Sequence, residues 1–180
     1  MLSFVCALSV PGAGHGQDAM QVRIAAGNGQ RIEAEATVRI HASRETVWAI
    51  LSSCPEALKI VPGLEVCEVR ERAADASWAR IWQVMDYAWF LPRVRIEVKA
   101  SYRQPAAMSF ERVGGDPVTL QGQWDLQSDG SYTIAHYNLV FEPGPWVPRW
   151  ILRSALKRDL PKMLQALRSD AESTLPENLG

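Results

Sequence analysis

The chain lacks an excess of charge of either sign. Nineteen Lys and Arg stand against twenty Asp and Glu in 180 residues, a net charge of −1, with no five like charges in a row. A dedicated nucleic-acid binder normally carries a clear basic excess, so no nucleic-acid partner is expected. No stretch approaches the roughly 18 apolar residues that a membrane-spanning helix needs. Histidine and cysteine are scarce, at three each. His15, His41 and His136 have no spacing to one another or to a cysteine that would converge a ligand set, so no metal and no other cofactor is expected. A Gly-x-Ser-x-Gly nucleophile motif is missing too. Gly27-Asn28-Gly29 and Gly114-Gly115 lack the following helix that would present amides to a phosphate, and read as turns.

What is present is apolar and patterned. Hydrophobic residues make up 47 % of the chain and charged residues 22 %, ordinary values for one globular domain. At the N-terminus, Leu2 to Val10 is an apolar run followed by Pro11-Gly12-Ala13-Gly14-His15-Gly16. That pattern suits a signal peptide over 1–16, although no basic residue precedes the run. Export to the periplasm or exterior is the expectation; translation from Met20 would instead leave the protein cytoplasmic. Removal of the leader would leave Cys54 and Cys67, either joined as one disulfide or present as two small buried thiols.

Residues 17–30 read as a linker or a frayed strand. Arg31 to Ile40 alternates, with Ala34, Ala36, Val38 and Ile40 on one side and Glu33, Glu35, Thr37 and Arg39 on the other, which is a half-buried strand. Ser43 can cap a short helix through Leu51, and Pro55 opens a second that Pro62-Gly63 stops. Six strands follow, over 64–71, 77–87, 92–103, 107–113, 118–127 and 131–141, with turns short enough to make neighbours antiparallel. The chain then builds one long amphipathic helix, from about Val147 to Ser173. Leu152, Leu156, Leu160, Met163 and Leu167 fall within about 80° of the helical wheel. Arg153, Lys157, Arg158, Lys162 and Arg168 lie off that stripe. Pro161 predicts a kink near Leu160, with Asp159 placed to recap the chain. Residues 175–180 form a tail.

This layout, with the Ser-x-x-x-Val-Trp entry at Ser43-Arg44-Glu45-Thr46-Val47-Trp48 and the segment from Pro148-Arg149-Trp150 through Leu167, resembles the START-like (SRPBCC) superfamily. Within it, the chain looks most like the polyketide cyclase/dehydrase and coenzyme Q-binding group, over 31–174. The resemblance implies an α+β helix-grip fold: a seven-stranded antiparallel sheet wrapped around the C-terminal helix, with two short helices after the first strand. It also implies a cavity between sheet and helix for an apolar ligand.

Side-chain alternation and helix phase then nominate Trp82, Met108, Phe110, Trp124, Tyr137, Leu156, Leu160 and Met163 as lining that cavity. Trp89, Phe90 and Trp146 sit at loop tips, where a large apolar residue would border the mouth or touch lipid. Asp86, Glu97, Asp125, His136 and Tyr137 are candidates for acid–base work, Tyr137 being the one on an apolar face. The leading expectation is binding, with or without transfer, of a lipophilic molecule of isoprenoid, fatty acid or phospholipid class, with peripheral membrane contact. The alternatives are a cyclase, aromatase or dehydratase using the same cavity, and a protein-interaction module whose cavity is filled.

Overall fold

The computed structural model describes residues 20–86, 91–145 and 147–174. The leader, the C-terminal tail, Trp89, Phe90 and Trp146 lie outside the described residues. The chain runs β1 (Met20–Ala26), β2 (Ile32–Ile40), α1 (Arg44–Leu51), α2 (Cys54–Ile60), β3 (Leu64–Arg72) and β4 (Trp78–Met85). It continues through β5 (Val94–Arg103), β6 (Ala107–Gly115), β7 (Thr119–Asp129) and β8 (Tyr132–Glu142) to α3 (Arg149–Ser173).

All eight strands form one sheet in the order β1-β2-β8-β7-β6-β5-β4-β3. The segment read as a linker or frayed strand is strand over Met20–Ala26, pairing with β2 from Met20↔Val38 to Ala26↔Ile32. The sheet therefore has eight strands in place of the seven implied. The hairpin closes through Gly29, whose φ of 62° is open to glycine at no steric cost. β2 alternates as its sequence demands, burying Ile32, Ala34, Ala36, Val38 and Ile40.

β2 and β3 are consecutive strands six places apart in the sheet, and α1 and α2 span the gap between them. Ser43 caps α1 by accepting a hydrogen bond from the Thr46 N–H at 3.1 Å. Ser53 does the same for α2 through the Glu56 N–H, with Pro55 in its first turn. A disulfide joins Cys54, the first residue of α2, to Cys67 of β3, with the Cα atoms 5.3 Å apart.

α3 lies across the sheet and is one helix, continuous through Pro161. Asp159 does not recap it: both carboxylate oxygens accept from the Arg158 guanidinium, at 2.8 and 2.7 Å. The buried line is Leu152, Ala155, Leu160, Leu164, Leu167 and Ala171. Leu164, Leu167 and Ala171 have no exposed surface at all, so the C-terminal half of α3 is packed solidly. Leu156 and Met163, expected on the buried stripe, are only half-buried. They face the space beside the N-terminal half of the helix. This is the helix-grip arrangement.

Candidate functional site

The space between the sheet and the N-terminal half of α3 is a cavity of about 230 Å³. Close-packed interiors hold few voids larger than one water molecule. A core built for stability alone would not keep such a gap, because its lining atoms forgo dispersion contacts.

β7 and β8 supply an aromatic wall. Trp124 and Tyr137 are register partners, with ring centroids 4.4 Å apart. Phe110 on β6 stacks on Tyr137 at 6.4 Å, its ring lying over Gly122 of β7. A β-carbon at 122 would collide with that ring, so the glycine is what lets Phe110 lie where it does. Met108 completes this side, while Leu156, Leu160 and Met163 of α3 close the opposite one. Seven of the eight nominated lining residues are therefore brought together: Met108, Phe110, Trp124, Tyr137, Leu156, Leu160 and Met163.

Trp82 is the exception. It sits on the outer face of β4, under the Arg70 guanidinium at 4.6 Å from its ring, while Ile81, Gln83 and Met85 face the cavity. Both faces of β4 carry apolar residues, so alternation does not choose between them, and a one-residue slip in phase exchanges the faces.

The remaining wall comes from the end of α1 at Leu51, one face of α2 (Cys54, Ala57 and Ile60) and the residues flanking it, with both disulfide cysteines among the lining. Sequence reasoning missed this wall because only the long-range closure of α2 onto β3 brings it there. It also missed β5, whose inward row of Ile96, Val98, Ala100 and Tyr102 was legible as alternation.

Few polar groups interrupt the lining. The Ser52 hydroxyl donates to the Trp48 carbonyl and the Ser53 hydroxyl caps α2, so both serve the backbone. Gln83, Tyr102, Tyr137 and Asp159 are the other polar side chains of the lining. Tyr102 packs edge-on against Trp48 at 5.7 Å. Burial pushes its phenol above the ordinary range, against a smaller opposite pull from Arg72, so it stays protonated at neutral pH. The Asp159 side chain is only 18 % exposed and paired to Arg158.

Four of the five acid–base candidates lie away from the cavity. Asp125 accepts from the Gln123 amide at 2.6 Å and His136 bonds the Thr37 hydroxyl at 3.1 Å, both in a separate polar groove on the outside of the sheet. Glu97 pairs across the sheet with the outward Trp82, and Asp86 sits past the end of β4, its N–H bonded to the Gly63 carbonyl. Among the described residues no group of three or more His, Cys, Asp or Glu is placed to hold a metal ion.

Solved structures share this architecture. A STAR-related lipid transfer protein from Xanthomonas axonopodis superposes with a TM-score of 0.71 at 18 % identity, over 86 % of this chain and 98 % of that one. An aromatase/cyclase, ZhuI, from Streptomyces sp. R1128 gives 0.69 at 18 % identity, over 83 % and 99 %. Human STARD10 gives 0.67 at 9 %, over 85 % and 74 %. No curated protein matches the chain by sequence. A family model described as polyketide cyclase/dehydrase and lipid transport matches residues 40–168, most of the chain. The chain belongs to that family.

Proposed function

We propose that the protein binds a lipophilic small molecule or lipid in this cavity and carries it, without transforming it. The observation that supports this most is the unfilled apolar space between α3 and the Trp124–Tyr137–Phe110 wall. Removing apolar guest surface from water would contribute roughly 25 cal/mol per Å². The guest class is isoprenoid, fatty acid or phospholipid, exchanged through peripheral contact with a membrane. The Cys54–Cys67 pairing supports a periplasmic or secreted setting, where disulfides persist.

Titrating delipidated protein with a panel of these three classes tests the reading. Saturable binding that weakens in Trp124→Ala and Leu160→Gln supports it. No binding to any member counts against it.

A second reading, cyclase or dehydratase chemistry in the same cavity, is favoured by the polar groups that face inward. Tyr102, held protonated, offers a hydrogen bond to a substrate oxygen, and Asp159 supplies a carboxylate. Turnover of a polyketide-like substrate lost in both Tyr102→Phe and Asp159→Asn would support it. A filled interior would favour the third reading, a protein-interaction module, and the space beside α3 gives it no support.

A further inference from the structure

One face of α3 lines the cavity; the opposite face carries the most exposed large hydrophobic among the described residues, Trp150, at 68 %. At 3.6 residues per turn, Arg153 and Lys157 fall on successive turns beside it. Arg149 flanks the same face, whereas Lys162, nine residues after Arg153, projects from the other side of the helix. From Arg149 to Lys162 the helix holds five cations against one carboxylate, Asp159, in a chain whose net charge is −1. That carboxylate is taken by Arg158, and Arg149 donates to the Gly29 carbonyl. Arg153 and Lys157, the two beside Trp150, are exposed and make no ion pair among the described residues.

Two of these features run against the helix's own stability. The first turn of α3 has no acidic residue and no side-chain cap. Cations in the opening turns oppose the helix dipole, which favours negative charge there. A bare tryptophan among them adds exposed apolar surface. Both features are explained by a partner that is anionic and has an apolar layer beneath its charges.

We propose that this face of α3 docks on an anionic lipid bilayer, with Arg153 and Lys157 at the headgroups and Trp150 in the interfacial layer. Tryptophan is suited to that depth, and each cation near an anionic surface contributes about 1 kcal/mol. The docked helix is also a wall of the cavity, so its two faces meet the bilayer and the guest. The docking face rests on the carrier reading for its purpose, but not for its chemistry.

The test is cosedimentation of the purified protein with phosphatidylcholine vesicles, with and without phosphatidylglycerol, at low and raised salt. Binding is expected only to the anionic vesicles, weakened by salt. Arg153→Gln with Lys157→Gln is expected to weaken partitioning roughly 30-fold, and Trp150→Ala several-fold. The same charge change at Arg80→Gln with Lys99→Gln, on the sheet's outer face, is expected to leave it intact. Circular dichroism checks that each variant is folded.

Equal binding to neutral vesicles, no binding at low salt, or an unaltered Arg153/Lys157 variant would each overturn the proposal. So would a wild-type dimer that Trp150→Ala dissolves and that ignores vesicles, because the face would then be a self-interface. Guest titration without vesicles is expected to be unchanged in the Arg153/Lys157 variant. Vesicle binding with no guest binding would leave the docking face standing and remove the carrier reading alone.

Discussion

Gly122 lies directly across from Phe110 on neighbouring strands, and the Phe110 ring occupies the space that a β-carbon at 122 would need. The shape of the cavity wall thus depends on a side chain that is missing. Gly122→Val should push Phe110 toward the cavity and destabilise the fold by about 1–3 kcal/mol through overpacking. Urea denaturation measures the loss, and guest titration should show weakened binding. Adding Phe110→Ala should recover part of the stability; no recovery would mean that the two residues do not compete for that space.

The two halves of α3 should respond differently to truncation. Leu164 is wholly buried in packed core, so Leu164→Ala should cost about 2–5 kcal/mol and leave guest affinity nearly unchanged in the folded fraction. Leu156 faces the cavity and is half-buried. Leu156→Ala should cost less stability and alter guest affinity more. Paired denaturation and binding curves separate the two, and the reverse ranking would contradict the division of the helix.

The cysteine pair should be a staple. Cys54 and Cys67 are 13 residues apart, and closing a loop of that size removes about 3 kcal/mol of denatured-state freedom in the chain-entropy view. Reduction should lower the unfolding midpoint and loosen α2 from β3. Thiol counting on the unfolded, unreduced protein should find neither cysteine reactive. Two reactive thiols there would show that the bond does not form.

Tyr102 should give the stability curve a dependence at high pH. Its phenol is held above its unfolded value by burial, so the folded state keeps the proton longer. The contribution is fully present below the ordinary phenol value, about 10, and is lost as pH rises through the folded value. Tyr102→Phe should remove that part of the decline. A wild-type curve that falls no faster than the variant's would argue against a desolvated Tyr102.

How far the sequence could be read follows from how locally each feature is determined. β2 and β8 alternate cleanly because one face meets the core and the other meets water, and Tyr137 was legible on that account. Trp82 was not, since Trp78, Trp82 and Val84 on one face of β4 are as apolar as Ala79, Ile81 and Met85 on the other. The outer tryptophan is satisfied by the Arg70 guanidinium, a cation–π contact that no spacing announces. β1 did carry a signal in the alternation of Met20, Val22 and Ile24, but only over a few residues beside a glycine-rich turn. The wall made by α2 could not be read locally, because its place depends on closing β2 to β3 across the whole sheet. Position alone lets the Asp159 carboxylate recap α3, yet the adjacent guanidinium offers two charge-assisted hydrogen bonds.

Native mass spectrometry of the protein purified from its own host, before and after solvent extraction, tests the cavity's occupancy most directly. The account predicts one extractable apolar molecule per chain, absent when Ala155→Trp fills the space beside Leu156 and Leu160. A bare polypeptide mass in every preparation, with no uptake when membrane lipid extract is supplied, would contradict it.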